Sequence, residues 1–301
     1  MGGGVIEVEE IVLRAGSVEL SGLLAEPETQ PRALVLALHG GGMTAGYFHG
    51  RAHPDLSLLR LGHSLGFTVL ALDRPGYGRS GRVLPRGQLL TEQADTVYGA
   101  LDDFAARHAT GAGVFVVGHS YGLKLGLFLA AHPRGKELLG VDGSGAAYRY
   151  QPALDPAAAE TELTADGSVV AYASRSPREL FWGSESLYPP GTFVRGTRPI
   201  AAVPEIESDE SARWPDLLPE VAAEVRVPFQ FSVAEHEQWW QVTDADLAEY
   251  QALFTAAPHV VVRRQPAAGH NISLGWAARS YHLNALAFAE QCLLRRRGDL
   301  F

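Results

Sequence analysis

Apolar and polar positions alternate with a period of two along residues 5–14, and again along 18–25, around Ala15-Gly16-Ser17. That alternation predicts two half-buried strands joined as an antiparallel hairpin. The pattern then changes. Residues 33–38, 67–72, 114–117, 138–141, 229–233 and 260–262 are nearly continuous apolar runs, the mark of strands covered on both faces. Helical spacing separates them. Leu90, Ala94, Val97, Leu101, Phe104 and Ala105 recur along 89–108, and a last helical run extends from residue 276 to 294. An antiparallel entry followed by repeated strand–helix units predicts an α/β fold, a mostly parallel, doubly wound sheet with helices on both sides.

One stretch breaks this rhythm. Residues 145–224 lack strand–helix alternation but hold many prolines and the aromatics Tyr148, Tyr150, Tyr172, Phe181, Trp182, Tyr188, Phe193 and Trp214. A disordered linker would be poor in aromatics, so the stretch reads as an inserted cap or lid between two core strands. The expected organisation is a first core part at 1–144, a cap at 145–224 and a second core part at 225–301. No internal repeat or low-complexity tract accompanies it.

Composition narrows the picture modestly. At 301 residues and 46% hydrophobic content, the chain can form one large α/β domain with an insertion. No apolar run approaches the roughly 18 residues of a membrane span. The start, Met1-Gly2-Gly3-Gly4-Val5-Ile6-Glu7, has neither a basic flank nor an apolar core of a signal peptide, so the expected location is cytoplasmic. Cys292 is the only cysteine and forms no intrachain disulfide; a packing role is expected. A net charge of −9 argues against nucleic acid or an anionic membrane as partner. Lysine is confined to Lys124 and Lys136, a usage that fits codon habit better than a physical device.

The chemistry enters at Val114-Phe115-Val116-Val117-Gly118-His119-Ser120-Tyr121-Gly122, which leads into the apolar helical run from Leu123 to Ala131. This is G-x-S-x-G between a strand and a helix, the setting that holds a serine on a strained turn. Glycines two residues to either side let the backbone pass where a Cβ would collide, and the helix N-terminus faces the site of developing negative charge. The same pattern recurs at Gly62-His63-Ser64-Leu65-Gly66, but there it closes a helix and precedes a strand. Ser64 is therefore expected at a helix C-terminus with Gly66 as the stop, and Ser120 is the nucleophile candidate.

A serine nucleophile needs a base, a carboxylate to orient it and donors for the oxyanion. His270, in Ala268-Gly269-His270-Asn271-Ile272 after the last strand, is the base candidate. For the acid, Glu237 follows the strand at 229–233; Asp142, ending the preceding strand, is the alternative, and Glu235 a further rival suited to capping backbone amides. One oxyanion donor is the Tyr121 N–H. The other comes from His39-Gly40-Gly41-Gly42-Met43, with Gly41 the best candidate and Gly42 second. The turn Asp73-Arg74-Pro75-Gly76-Tyr77-Gly78-Arg79-Ser80 reads as structural, with Asp73 bonding its own loop. His49, His53 and Asp55 lie close in sequence, but Gly50 and Pro54 interrupt any helix that would align them, and a metal site is not expected.

HGGG, DRPGYGRS, GHSYG, AEHE and GHN, in this order, resemble the α/β-hydrolase fold superfamily in its serine-nucleophile branch. The resemblance spans nearly all of the chain outside the cap. It implies an eight-stranded, mostly parallel sheet and a triad in the order Ser120, Glu237, His270, with no cofactor. Two departures stand out. Glu occupies an acid position where Asp is more frequent, which keeps Asp142 in play, and Met43 stands where several subfamilies have proline. The expected activity is hydrolysis of a small carboxylic ester or thioester, and the aromatic cap suggests a bulky, aromatic substrate, with Trp239 and Trp240 bordering the pocket. The same scaffold also hosts carbon–carbon bond hydrolysis, lyase, cyclase and acyl-transfer chemistry, or non-catalytic binding of a small molecule.

Overall fold

A computed structural model of the chain describes residues 6–154, 177–194 and 199–298. Tyr172, residue 5 of the expected first strand and part of the expected cap lie outside the described residues. Eight strands form one sheet in the order β1-β2-β4-β3-β5-β6-β7-β8. The hairpin is β1 (Glu9–Ala15) and β2 (Val18–Ala25), paired antiparallel across a two-residue turn at Gly16 and Ser17. From β3 (Leu34–Leu38) and β4 (Thr68–Leu72) onward the ladder is parallel, through β5 (Val114–His119), β6 (Gly140–Ser144), β7 (Phe229–His236) and β8 (Val260–Gly269).

The continuous apolar runs reflect burial from both sides. Along β3, Leu34, Leu36 and Leu38 join one core cluster with residues of α2 (Leu90–Ala105) and α3 (Tyr121–Ala131), while Val35 and Ala37 join another with α1 (Leu58–Ser64) and α8 (Ala278–Gly298). A strand's side chains alternate between faces, so each face needs its own apolar partner layer. Each fully buried Leu or Val contributes roughly 1.5–3 kcal/mol of transfer free energy.

Several strands depart from their sequence ranges: β1 begins only at Glu9, β7 runs on to His236, and β6 and β8 differ most. The run at 138–141 enters the ladder only at Gly140 and continues to Ser144; Leu138 caps the tight 3-10 turn at Gly135–Glu137, its N–H donating to Gly135 O at 3.0 Å. Gly143 and Ser144 are poor strand formers held in place by pairing on both sides, with β5 and β7. The run at 260–262 extends to Gly269 despite Pro266, which an edge strand tolerates.

Between β6 and β7 the described chain forms α4 (Pro177–Trp182), α5 (Glu205–Ala212) and α6 (Trp214–Ala223), and α7 (Asp244–Ala252) follows β7. Trp214, Leu218 and Ala222 of α6 are buried in the same cluster as α2 and α3. The sheet reverses its direction of growth between β3 and β5, and the crevice beyond the carboxyl ends of these two strands is where α/β sheets bind ligands.

Candidate active site

Ser120 stands at that crevice, immediately after β5 and before α3. Its backbone adopts φ 52° and ψ −119°, a region that costs an L-residue strain. The turn is closed by the Ser120 N–H donating to Ser144 O at 2.7 Å and by the Leu123 N–H returning to Ser120 O at 2.9 Å. The two flanking glycines are required by contact. A Cβ at Gly118 would lie 2.6 Å from Gly122 O and Leu123 Cα, and one at Gly122 would overlap the Leu38 and His39 carbonyls of the adjacent strand end. Ser64, by contrast, ends α1, its hydroxyl donates to Leu61 O at 2.7 Å, and Gly66 follows with φ 81°.

His270 is buried just after β8, and its Nδ1 meets Glu237 Oε2 at 2.9 Å and Oε1 at 3.1 Å. Both side chains are only 3% exposed. The Glu237 Oε1 atom also accepts the N–H groups of Gln238 at 3.0 Å and Trp239 at 2.9 Å. Burial alone would raise the Glu237 carboxyl; the charge of His270, the bond to it and these two amide donors outweigh burial and hold it below its ordinary range. With Nδ1 turned to the carboxylate, Nε2 is the nitrogen left for other chemistry.

The other two carboxylates are engaged elsewhere. Asp142 lies mid-strand in β6, fully buried, accepting from Gln230 Nε2 at 2.7 Å, and burial pushes it up to about 7. Glu235 accepts the Ala267 N–H at 2.7 Å. That bond sits at a register shift between β7 and β8, where Ala267 has φ 53°. The bulge, stapled by Glu235, brings Gly269 opposite His236 and delivers His270 beyond the strand end.

The glycine turn after β3 approaches the serine closely: a Cβ on Gly40 would lie 3.0 Å from Ser120 Cβ. The Gly42 N–H is taken by the Tyr77 hydroxyl at 3.1 Å. Gly41 and Tyr121 have N–H groups with no protein acceptor among the described residues. His119 stacks on Tyr47 at 4.5 Å and meets His270 edge-on at 5.0 Å; burial, reinforced by the charge of His270, lowers it well below the usual histidine range. Phe181 and Trp239 pack together and lie 5.8 and 6.3 Å from the His270 ring. Trp240 instead faces inward, donating to Gly145 O at 2.8 Å and stacking on Tyr150.

Asp73 does not bond its own loop, contrary to the sequence expectation. Its carboxylate accepts from Ser21 Oγ and from the Ala45 N–H, each at 2.7 Å, and so ties β2 to the segment after the glycine turn. The loop is closed instead by Ser80, which accepts from the Gly76 N–H at 3.0 Å and donates to Tyr77 O at 2.8 Å.

Sequence reasoning missed a buried charged group beside the site. Arg74, fully buried, pairs with Glu207 of α5 at 2.5 Å and donates to His39 O at 2.7 Å. Glu210 of the same helix accepts from the Tyr121 hydroxyl at 2.5 Å and from the Leu90 N–H. Lys124 is enclosed by the rings of Tyr121, Trp214 and Trp240, and burial lowers it to about 7 against the pull of Glu207 and Glu210. Nothing local marks these partners, since Glu207 and Glu210 sit in an acidic run that looks solvated.

Among the described residues no group of three or more His, Cys, Asp or Glu side chains could hold a metal ion, and no helix is long and apolar enough to cross a membrane. A groove of about 440 Å³ lined by Ser17, Glu19, Gly78, Arg79, Arg82 and Val83 includes none of Ser120, Glu237 and His270.

Comparison with known proteins gives a consistent setting. The sequence profile of the alpha/beta hydrolase family matches residues 34–289. No curated protein matches the chain in sequence. Among solved structures, a highly thermostable carboxyl esterase from Bacillus coagulans aligns with TM-score 0.67 and 17% identity, covering 96% of this chain and 100% of its own. A mutant of the N-acyl homoserine lactonase AidH, solved with N-hexanoyl homoserine lactone, aligns with TM-score 0.65 and 17% identity over 94% of this chain and 98% of its own. A dienelactone hydrolase from Anabaena variabilis gives TM-score 0.53 and 16% identity, covering 94% and 95%. At such identities the likeness is one of fold.

Proposed function

The chain belongs to the alpha/beta hydrolase family, and on that footing we propose that it is a serine hydrolase acting on a carboxylic ester or thioester. Ser120 is the nucleophile, His270 the base and Glu237 the carboxylate that orients it. The observation that carries this reading is the buried Glu237–His270 pair, both oxygens within 3.1 Å of Nδ1, on the same sheet edge as a serine in a strained turn. Asp142 makes no comparable bond to His270.

In the proposed reaction His270 Nε2 takes the Ser120 proton as Oγ attacks the carbonyl carbon, and Glu237 stabilises the imidazolium. The Gly41 and Tyr121 N–H groups receive the oxyanion, worth about a hundredfold to a thousandfold in rate per donor. Collapse expels the alcohol or thiol with the proton from His270, and a water activated by the same nitrogen releases the acid. Residues 145–224 are proposed as a cap over this edge, and Phe181 and Trp239 beside His270 support a substrate with a bulky apolar or aromatic part. The esterase and lactonase neighbours support ester or lactone substrates, a lactone being a cyclic ester open to the same attack.

The test is treatment with a fluorophosphonate followed by intact and peptide mass spectrometry, with Ser120→Ala and Ser64→Ala as controls. One adduct on Ser120, lost in Ser120→Ala and kept in Ser64→Ala, together with turnover of p-nitrophenyl esters, is the expected result. Absence of any adduct on the native protein, or an adduct on Ser64, would sink the proposal.

A further inference from the structure

We propose that Glu207, acting through Tyr77, holds the glycine turn after β3 in its anion-receiving geometry, so that helix α5 completes the oxyanion pocket from outside it. This rests on the serine-hydrolase reading above, in which Gly41 supplies an oxyanion donor.

The argument begins with proton directions. The Tyr77 hydroxyl has one hydrogen, and it donates to Glu207 Oε2 at 2.7 Å. Its lone pairs are thereby turned toward the Gly42 N–H, which donates to it at 3.1 Å. A phenol facing a neutral partner could rotate; one facing a carboxylate is held, because the charge-assisted bond is the stronger. Burial adds to this by keeping the Tyr77 phenol protonated, well above its usual range.

The carboxylate is itself fixed. Arg74 grips both Glu207 oxygens, at 2.5 and 3.1 Å, and the same guanidinium donates through Nε to His39 O at 2.7 Å. The Arg74 N–H also donates to His39 Nε2 at 3.1 Å. His39 is the last residue before the glycines, so one arginine holds the base of the turn and the acid that orients Tyr77. Glu207 is 1% exposed and Arg74 fully buried, a pair that costs desolvation and adds little net stability. A positional role explains its presence better than a stabilising one.

The outer side of the turn is held by the same chain segment. The Ala201 N–H donates to Gly42 O at 2.8 Å and the Thr44 N–H to Pro199 O at 2.9 Å, a short antiparallel bridge just ahead of α5. Both polar backbone groups of Gly42 are thus occupied, its φ of 68° is set, and the preceding peptide leaves the Gly41 N–H unclaimed. Tyr77 and Glu207 are positioning residues; neither is placed against the reacting atoms.

The decisive variant is Tyr77→Phe, which keeps the ring and removes only the hydroxyl. For a p-nitrophenyl ester, kcat should fall about tenfold to a hundredfold, less than the loss of a whole oxyanion donor, with KM changed less than about threefold. Affinity for an aryl trifluoromethyl ketone, whose adduct carries an oxyanion, should weaken by a similar factor. Glu207→Gln should show the same selective loss in smaller measure, since an amide oxygen still accepts from Tyr77. Hydrogen exchange of the peptide spanning residues 39–44 should quicken about tenfold in Tyr77→Phe, with the rest of the sheet edge unchanged. This last readout needs no turnover, so it decides the clamp even if the wild-type protein takes no fluorophosphonate and the hydrolase reading falls. Wild-type kcat and inhibitor affinity in Tyr77→Phe, unchanged exchange at 39–44, or a fall explained wholly by fewer titratable active sites would each overturn the proposal. Wild-type behaviour of Glu207→Gln alone would remove Glu207 from it.

Discussion

Ser120 sits at φ 52° and ψ −119°, outside the regions an L-residue adopts freely. Such a conformation costs about 1–3 kcal/mol, and the surrounding packing must enforce it. Replacing Ser120 with Gly relieves that strain while removing the hydroxyl. The expected outcome is a variant about 1 kcal/mol more stable in denaturant unfolding, and without esterase turnover. A destabilised Ser120→Gly would show that the hydroxyl's own contacts outweigh the strain.

Glu237 carries a pH signature. Its folded carboxyl lies below the ordinary value, first against burial and then through His270 and two amide donors. A depressed carboxylate contributes stability that is fully present above the unfolded value near 4.3–4.5 and is lost as pH falls through the lower folded value. Glu237→Gln should therefore flatten the loss of stability between about pH 5 and pH 3, as read by urea midpoints at each pH. The same variant should lower kcat/KM by about a hundredfold to ten-thousandfold at pH 7, because the imidazole loses its orienting charge. An acid limb of the rate profile above pH 5 would then come from a group other than Glu237, which stays ionised there.

At the level of elements, the strand–turn–helix around Ser120 depends on backbone passing backbone. A Cβ on Gly122 would meet the Leu38 and His39 carbonyls, which belong to β3 and its exit and have nowhere to move. Gly122→Ala should destabilise the protein by about 3 kcal/mol, at the upper end for overpacking. Gly16→Ala serves as the comparison. Gly16 has φ 60° but open space around its Cβ position, so only the backbone term of about 1 kcal/mol applies. Equal midpoints for the two variants would refute the steric account. The glycine spacing was legible in the sequence because a serine turn between a strand and a helix demands it, Gly118 through contacts with Gly122 and Leu123 inside the turn itself; that Gly122 faces Leu38 and His39 was not. The bulge before His270 was not. Its cause is a register shift between β7 and β8 stapled by Glu235, and pairing partners do not appear in one strand's own pattern. The same holds for β6, where ladders on both sides carry Gly143 and Ser144 past the end of the apolar run.

For the molecule as a whole, helix α6 in the segment between β6 and β7 is fastened to the sheet layers. Trp214 is fully buried, its Nε1 donates to Ala147 O at 2.8 Å, and it shares a core cluster with α2, α3 and β6. Trp214→Ala should cost about 3–5 kcal/mol and lower the midpoint of one transition, without splitting calorimetric unfolding into two. A separate early transition would mean that α5 and α6 unfold by themselves. Fold class, the placement of Ser120 and the position of His270 after the last strand were already determined by the sequence, through apolar runs and a turn only glycines permit. Tertiary structure alone decided which carboxylate meets His270, since Glu235, Glu237 and Asp142 all lie at strand ends or within strands of similar character. It also decided that Tyr77 claims Gly42 and leaves Gly41, and that Arg74 finds Glu207 across 133 residues of chain. Steric demands inside a turn, such as Gly118 against Gly122 and Leu123, write themselves into adjacent residues. The partners of buried charges and hydroxyls are chosen by how distant elements dock, and no spacing along the chain records them.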